Sequence, residues 1–204
     1  MQLAPPTLGL LIRKHHAMSK STDLSPAATS TAYRYGTMQR SLHWTMATVI
    51  LIALAIGLYC SYLGHGSVQR QFLMDIHKSL GMTALALLII RIPIRAATAE
   101  PDWRRRPPLY ERLASKIVHL ALYALMMLMP ISGYVTSSSG GRTVPWFALF
   151  TWPNLLTENR PLGRMVGVIH HYGGYTFFAL LFLHLGAVVR HRLIRQDEVL
   201  SRML

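Results

Sequence analysis

The residues best suited to chemistry are His170 and His184, fourteen positions apart inside an uncharged apolar stretch over residues 165–189. At about 100° per residue, fourteen steps come within roughly 40° of four full turns, so both imidazoles leave the same side of one helix. With a rise of about 1.5 Å per residue, they stand some 21 Å apart along its axis. An apolar helix of this length reads as a membrane span. Imidazoles on one face at two depths imply two ligand positions stacked across a bilayer.

Three further spans must position their partners. Residues 42–63 form an uncharged run rich in Leu, Ile and Ala, long enough for roughly 30 Å of hydrocarbon. The second span, 76–95, has a shorter uncharged centre and needs His77, Lys78 and Arg91 to lie at the interfaces, their charged ends snorkelling. The third, residues 117–135, contains Pro130, tolerated in a membrane helix as a kink. The fold class is therefore an all-α membrane protein, a four-transmembrane-helix bundle. Between the spans, 96–108 reads as a loop with three prolines and Arg104-Arg105-Arg106. Residues 137–163 read as a second loop, whose Trp146, Phe147, Phe150 and Trp152 suit the headgroup level. Residues 1–35 are polar and rich in Ser, Thr and Ala, and read as a disordered cytoplasmic tail ahead of a membrane domain over 36–204.

Composition agrees. Of the 204 residues 51% are hydrophobic and 14% charged, against about 25% charged in soluble domains. The net charge of +13 would point to nucleic acid in a soluble protein, but the basic residues here border apolar runs, so they read as a topology signal. With both termini inside, 16 Lys and Arg face the cytoplasm and 5 face out, the asymmetry expected of a membrane protein with cytoplasmic ends. The single Cys60 excludes an internal disulfide and a thiolate cluster.

On this topology the histidines fall into two levels. His43 opens the first span at the inner surface and meets His184 at the same depth. His77 opens the second at the outer surface and meets His170. A bis-imidazole pair across a bundle suits an iron porphyrin, one axial nitrogen on each face of the ring. Small residues stand one turn past three of them: Ala47, Gly81 and Gly174. With no Cys-x-x-Cys-His, the expectation is two b-type haems, with His43, His77, His170 and His184 as axial ligands. A lone intramembrane histidine is commonly only a hydrogen-bonding residue between helices; four matched in depth are harder to explain so. A closed zinc site needs about four ligands at one level, and ion transport relies on intramembrane carboxylates that are scarce here. His119 is expected to hydrogen-bond a haem propionate or act as a reserve ligand. His171 points away from the ligand face, His191 is expected to be solvated or at headgroups, and His15, His16 and His65 exposed.

The residues resemble the bacterial cytochrome b561 family, small di-haem membrane cytochromes, over roughly Tyr35 to Leu204. The match rests on Arg40-x-x-His43-Trp44, His77-Lys78-Ser79-x-Gly81, His119-x-x-x-Tyr123, Pro130-x-x-Gly133-Tyr134 and Pro145-Trp146-Phe147. The spaced His170 and His184 and the closing Asp197-x-x-Leu200-x-Arg202-Met203 complete it. The resemblance implies electron transfer between a quinone and a second redox partner, with oxidation of superoxide and reduction of ubiquinone as one such activity. Lys78, Arg142, Arg160 and Arg164 would then form a positive outer rim able to steer an anion, or bind lipid phosphates. A competing reading makes the chain the cytochrome b anchor subunit of a larger membrane oxidoreductase of hydrogenase or formate dehydrogenase type.

Overall fold

The computed structural model describes residues 33–103 and 105–204. The expected tail over 1–35 lies, except for its last three positions, outside the described residues, as do His15, His16 and Arg104. Four long helices build the domain: α1 (Thr37–Tyr62), α2 (Val68–Ala97), α3 (Leu109–Ser139) and α4 (Arg160–Arg190). Each is long and apolar enough to cross a membrane. Each also runs past its apolar stretch, because hydrophobicity marks only the part in hydrocarbon while backbone hydrogen bonding continues through the headgroup layer. Side chains close two of those ends. Ser67 Oγ accepts from the Arg70 N–H at 3.2 Å and Asn159 Oδ1 from the Leu162 N–H at 3.1 Å, capping α2 and α4.

The helices pack as two pairs, α1 on α2 and α3 on α4, joined through α2 and α3. Met46, Ile50, Ala84, Leu88, Leu122, Met129 and Phe177 interlock at the centre. Leu51, Ile52, Ile89, Leu120, Phe178 and Phe182 point outward. Helices apolar on both inner and outer faces are solvated by lipid.

The connection from α3 to α4 is more ordered than a loop. Helix α3 continues through Ser137–Ser139, all buried, and the Ser139 carbonyl accepts from the Asn159 N–H at 2.9 Å. Two strands, β1 (Val144–Trp146) and β2 (Phe150–Trp152), pair antiparallel. Their turn places Phe147 and Ala148 at φ 45° and 60°, a left-handed pair that costs such residues about 1–2 kcal/mol each. Anchoring to α2 offsets this. Buried Ser79 accepts from the Phe147 N–H at 2.9 Å and lies 3.0 Å from the Pro145 carbonyl, and Trp146 Nε1 donates to Thr83 Oγ1 at 3.0 Å. We call this the hairpin end of the bundle.

At the opposite, terminal end the chain closes on itself. The Tyr35 N–H donates to the Arg202 carbonyl at 3.0 Å, Trp44 Nε1 to the Met203 carbonyl at 2.8 Å, and the Arg40 guanidinium to the Leu204 carbonyl. Arg202, 3% exposed, lies over the Trp103 ring at 3.5 Å. Helix α4 ends in a wide π-helical turn, His191–Arg195. Here one expectation changes: His191 is not freely solvated. Its side chain is mostly buried and meets Asp197 Oδ2 at 2.6 Å, because the wide turn folds the chain back so that the carboxylate reaches it. Glu111 accepts from both Arg190 and Arg195 at 3.0 Å, tying α3 to the end of α4.

Arg202→Ala removes the stacked cation together with its side-chain hydrogen bond to the Pro101 carbonyl. The expected cost is roughly 2 kcal/mol, read as a lower thermal unfolding midpoint in detergent. Arg202→Lys should recover only part of it, since an ammonium cannot stack as a planar guanidinium does.

Candidate functional site

At the hairpin end, His77 from α2 and His170 from α4 approach with ring centres 6.1 Å apart and planes at 87°. Each ring sits in a notch cut by a glycine of the neighbouring helix. A Cβ on Gly57 would stand 2.9 Å from His77 Cε1, and one on Gly133 would stand 3.0 Å from His170 Cε1. Each notch also holds a hydrogen-bond acceptor. His77 Nδ1 donates to the Ala53 carbonyl at 2.8 Å, one turn before Gly57. His170 Nδ1 donates to Ser132 Oγ at 3.0 Å, and that hydroxyl gives its own proton to the Met129 carbonyl, one turn before Gly133.

These bonds fix the tautomers. A carbonyl cannot donate, and the Ser132 proton is committed, so both histidines carry their proton on Nδ1 and keep a free lone pair on Nε2. Two neighbouring imidazoles with free lone pairs suit an electrophile, and an Nδ1–H held by a carbonyl is the usual outer partner of a metal-binding histidine. Metal–nitrogen bonds of about 2.0–2.1 Å on opposite sides of one ion place two imidazole centres roughly 6 Å apart, the spacing found here. Among the described residues no group of three or more His, Cys, Asp or Glu is arranged to hold a metal ion. A paired, axial mode, with the equatorial ligands supplied by a porphyrin, fits this donor set. Beside His77, a Cβ on Gly81 would meet nothing within 4 Å, so one flank of the ring is open.

The terminal end is arranged differently. The His184 ring meets His119 of α3 edge-on at 5.2 Å, planes at 83°. His119 directs Nδ1 to the Ser115 carbonyl of its own helix at 2.6 Å. His43 lies within electrostatic reach of both, but its ring packs on Trp44 at 5.4 Å and its Nδ1 accepts from Arg91 Nη2 at 3.3 Å. Arg91 also donates to the Tyr123 hydroxyl at 3.0 Å and the Gln39 carbonyl at 3.4 Å. The structure thus gathers His43, His119 and His184 at one level and puts His184 in ring contact with His119.

The remaining candidates sort as follows. His171 stacks on Tyr172 and Tyr175, away from His170's partners, and His65 is exposed. Cys60 is buried, at 1% exposure. Of the four cations expected at the outer rim, Lys78 is paired with Asp75 at 3.0 Å and Arg160 with Glu158 at 2.8 Å, while Arg142 and Arg164 are exposed. Gly57, Ala53 and Ser132 escaped sequence reasoning, as did the bond from Arg91 to His43. A carbonyl acceptor leaves no trace in residue type, and Gly57 and Gly133 could be found only from the helix pairing that sets them opposite His77 and His170.

Comparison with known proteins finds relatives along most of the chain. The family model described as prokaryotic cytochrome b561 matches residues 34–204. Cytochrome b561 homolog 2 of Escherichia coli (strain K12) is 29% identical over 176 residues, covering 86% of this chain and 94% of that protein. Cytochrome b561 homolog 1 of the same organism is 24% identical over 172 residues, covering 84% and 97%.

The notches give a direct test. Gly57→Ala or Gly133→Ala pushes a methyl into the imidazole, which must turn and lose its Nδ1 hydrogen bond, at an expected cost of about 1–3 kcal/mol. Bound iron per protein should fall in both variants. Gly64→Ala, in the α1–α2 connection where a Cβ would meet nothing within 4 Å, should leave stability and iron content unchanged.

Proposed function

Since the chain belongs to the prokaryotic cytochrome b561 family, membrane cytochromes that transfer electrons through b-type haem, we propose that it holds two haems, one at each level of the bundle. His77 and His170 ligate the haem at the hairpin end, and His43 and His184 the haem at the terminal end. The observation that carries this reading is the 6.1 Å separation of the His77 and His170 rings, with both Nδ1 atoms already hydrogen-bonded. When bound, haem supplies a one-electron couple. The chain's own residues would hold it: at the hairpin end His77 and His170, their Nδ1 protons already taken by Ala53 and Ser132, would offer Nε2.

At the terminal end a specific observation favours a second reading. His119 is in ring contact with His184 and has its Nδ1 directed to a carbonyl, as His77 does. His119 is therefore the alternative partner of His184. His43 remains the first choice because α1 brings it to this level as α2 brings His77 to the other, and because exchanging the Arg91 bond for another acceptor would free it.

The electron path runs between a quinone, with ubiquinone the expected species, and a second redox partner. One such partner is superoxide, oxidised at the hairpin-end haem. With Lys78 and Arg160 paired, Arg142 and Arg164 are the two of those four cations left to attract an anion there. The excess of Lys and Arg at the terminal end and in the α2–α3 connection supports a topology with both termini on the cytoplasmic side of a bacterial inner membrane.

Purified protein should show two low-spin b haems in a reduced-minus-oxidised spectrum. His184→Ala should remove one haem and leave the other. His43→Ala and His119→Ala then discriminate between the two readings: only the true ligand, replaced, should halve the haem content. A spectrum without haem bands would overturn the whole assignment, and superoxide that fails to reduce ubiquinone through the protein would overturn the choice of partner.

A further inference from the structure

Arg91 is a cation without an anion. It lies two turns inside α2 from its C-terminal end, half-buried, and no carboxylate among the described residues pairs with it. Its three partners are a phenol, a carbonyl and an imidazole, all neutral acceptors. A guanidinium in low-dielectric surroundings is costly unless a negative charge meets it. Of its five N–H donors, only three bonds are made here.

The neighbours of Arg91 are also short of an acceptor. Gln39, 6% exposed, offers its carbonyl to Arg91, while its side-chain Nε2 is buried with no hydrogen-bond partner. The Tyr123 hydroxyl accepts from Arg91 Nε, which leaves its own proton to give. Helices α1, α2 and α3 therefore converge on one spot with spare N–H and O–H donors, a surplus positive charge and no anion. Beside it stand the histidines of the terminal-end level.

We infer that Arg91, with Gln39 and Tyr123, is a receptor for a carboxylate, and that this carboxylate is a propionate of the haem at the terminal end. The inference rests on the two-haem reading above and assigns residues to the haem's acidic edge rather than to its iron. It also accounts for the contrast between the two levels. Arg91 can only donate, so while it bonds His43 Nδ1, the proton of a neutral His43 sits on Nε2, the nitrogen an iron would need. A carboxylate that engages Arg91 supplies the acceptor that lets His43 move its proton to Nδ1 and free Nε2. Arg91 is in this sense a positioning residue for His43 and a binding residue for the propionate.

The test is potentiometric titration of the purified two-haem protein as wild type, Arg91→Lys and Arg91→Gln, with redox-difference infrared spectra of haem carrying 13C at its propionate carboxyls. In Arg91→Gln one midpoint potential should fall, because an uncompensated carboxylate favours the ferric state, and the other should stay. One propionate band should shift with it, and Arg91→Lys should retain most of the wild-type behaviour. Loss of a single haem in Arg91→Gln, with retention in Arg91→Lys, counts equally in favour. Unmoved propionate bands, equal shifts of both potentials, or haem loss in the lysine variant too would overturn the inference. So would a wild-type potential that changes between purely zwitterionic and anionic lipid while Arg91→Gln does not respond, since the anion would then be a lipid phosphate. Wild-type protein without haem would instead overturn the parent reading.

Discussion

The structure depends on a hydrogen bond made twice. A histidine from one helix enters a glycine notch in the next and gives its Nδ1 proton to an acceptor beside that glycine: His77 to the Ala53 carbonyl beside Gly57, His170 to Ser132 beside Gly133. The bond fixes which nitrogen carries the proton, and the notch fixes where the ring stands. Because α1 pairs with α2 and α3 with α4, the two notches belong to different helix pairs, and closing the bundle brings the ring centres to 6.1 Å with their planes at 87°. Ligand geometry here is a consequence of helix packing. A glycine is required at each notch because a methyl would occupy the space of the imidazole edge.

The two ends of the bundle differ in the polar groups around their histidines. At the hairpin end the imidazoles meet only neutral acceptors, and Ser79 and Thr83 fasten the β1–β2 hairpin across the same end of α2. At the terminal end a guanidinium reaches His43, and a second ring, His119, competes for the space beside His184. The chain ends reinforce that end from outside through Arg202, Trp103 and Tyr35. The two histidine levels of one bundle thus sit in unlike electrostatic surroundings, and under the proposed two-haem reading chemically identical haems would acquire different potentials there.

The sequence carried the architecture well. Apolar runs located all four helices, and the fourteen-residue spacing of His170 and His184 revealed the two levels, because helical periodicity and bilayer thickness are written directly in residue type. It carried less wherever polar atoms on different helices meet. His191 was expected in water or headgroups on the strength of its arginine neighbours, yet the wide turn at the end of α4 brings Asp197 back to it. The serines after Tyr134 read as loop because of their composition, but burial against α4 keeps them helical. Arg91 read as a snorkelling terminus, whereas its guanidinium turns inward to Tyr123 and His43. In each case the deciding contact joins residues far apart in the chain, which no local pattern encodes.

The angle between the imidazole planes gives the most direct access to the central claim. Electron paramagnetic resonance of the oxidised protein reads that angle at each low-spin ferric centre. With the His77 and His170 planes at 87°, one centre should give the strongly anisotropic low-spin signal of near-perpendicular axial imidazoles, and His77→Ala should abolish it. A high-spin ferric signal from that centre, or an anisotropic signal that survives His77→Ala, would contradict the ligation described here.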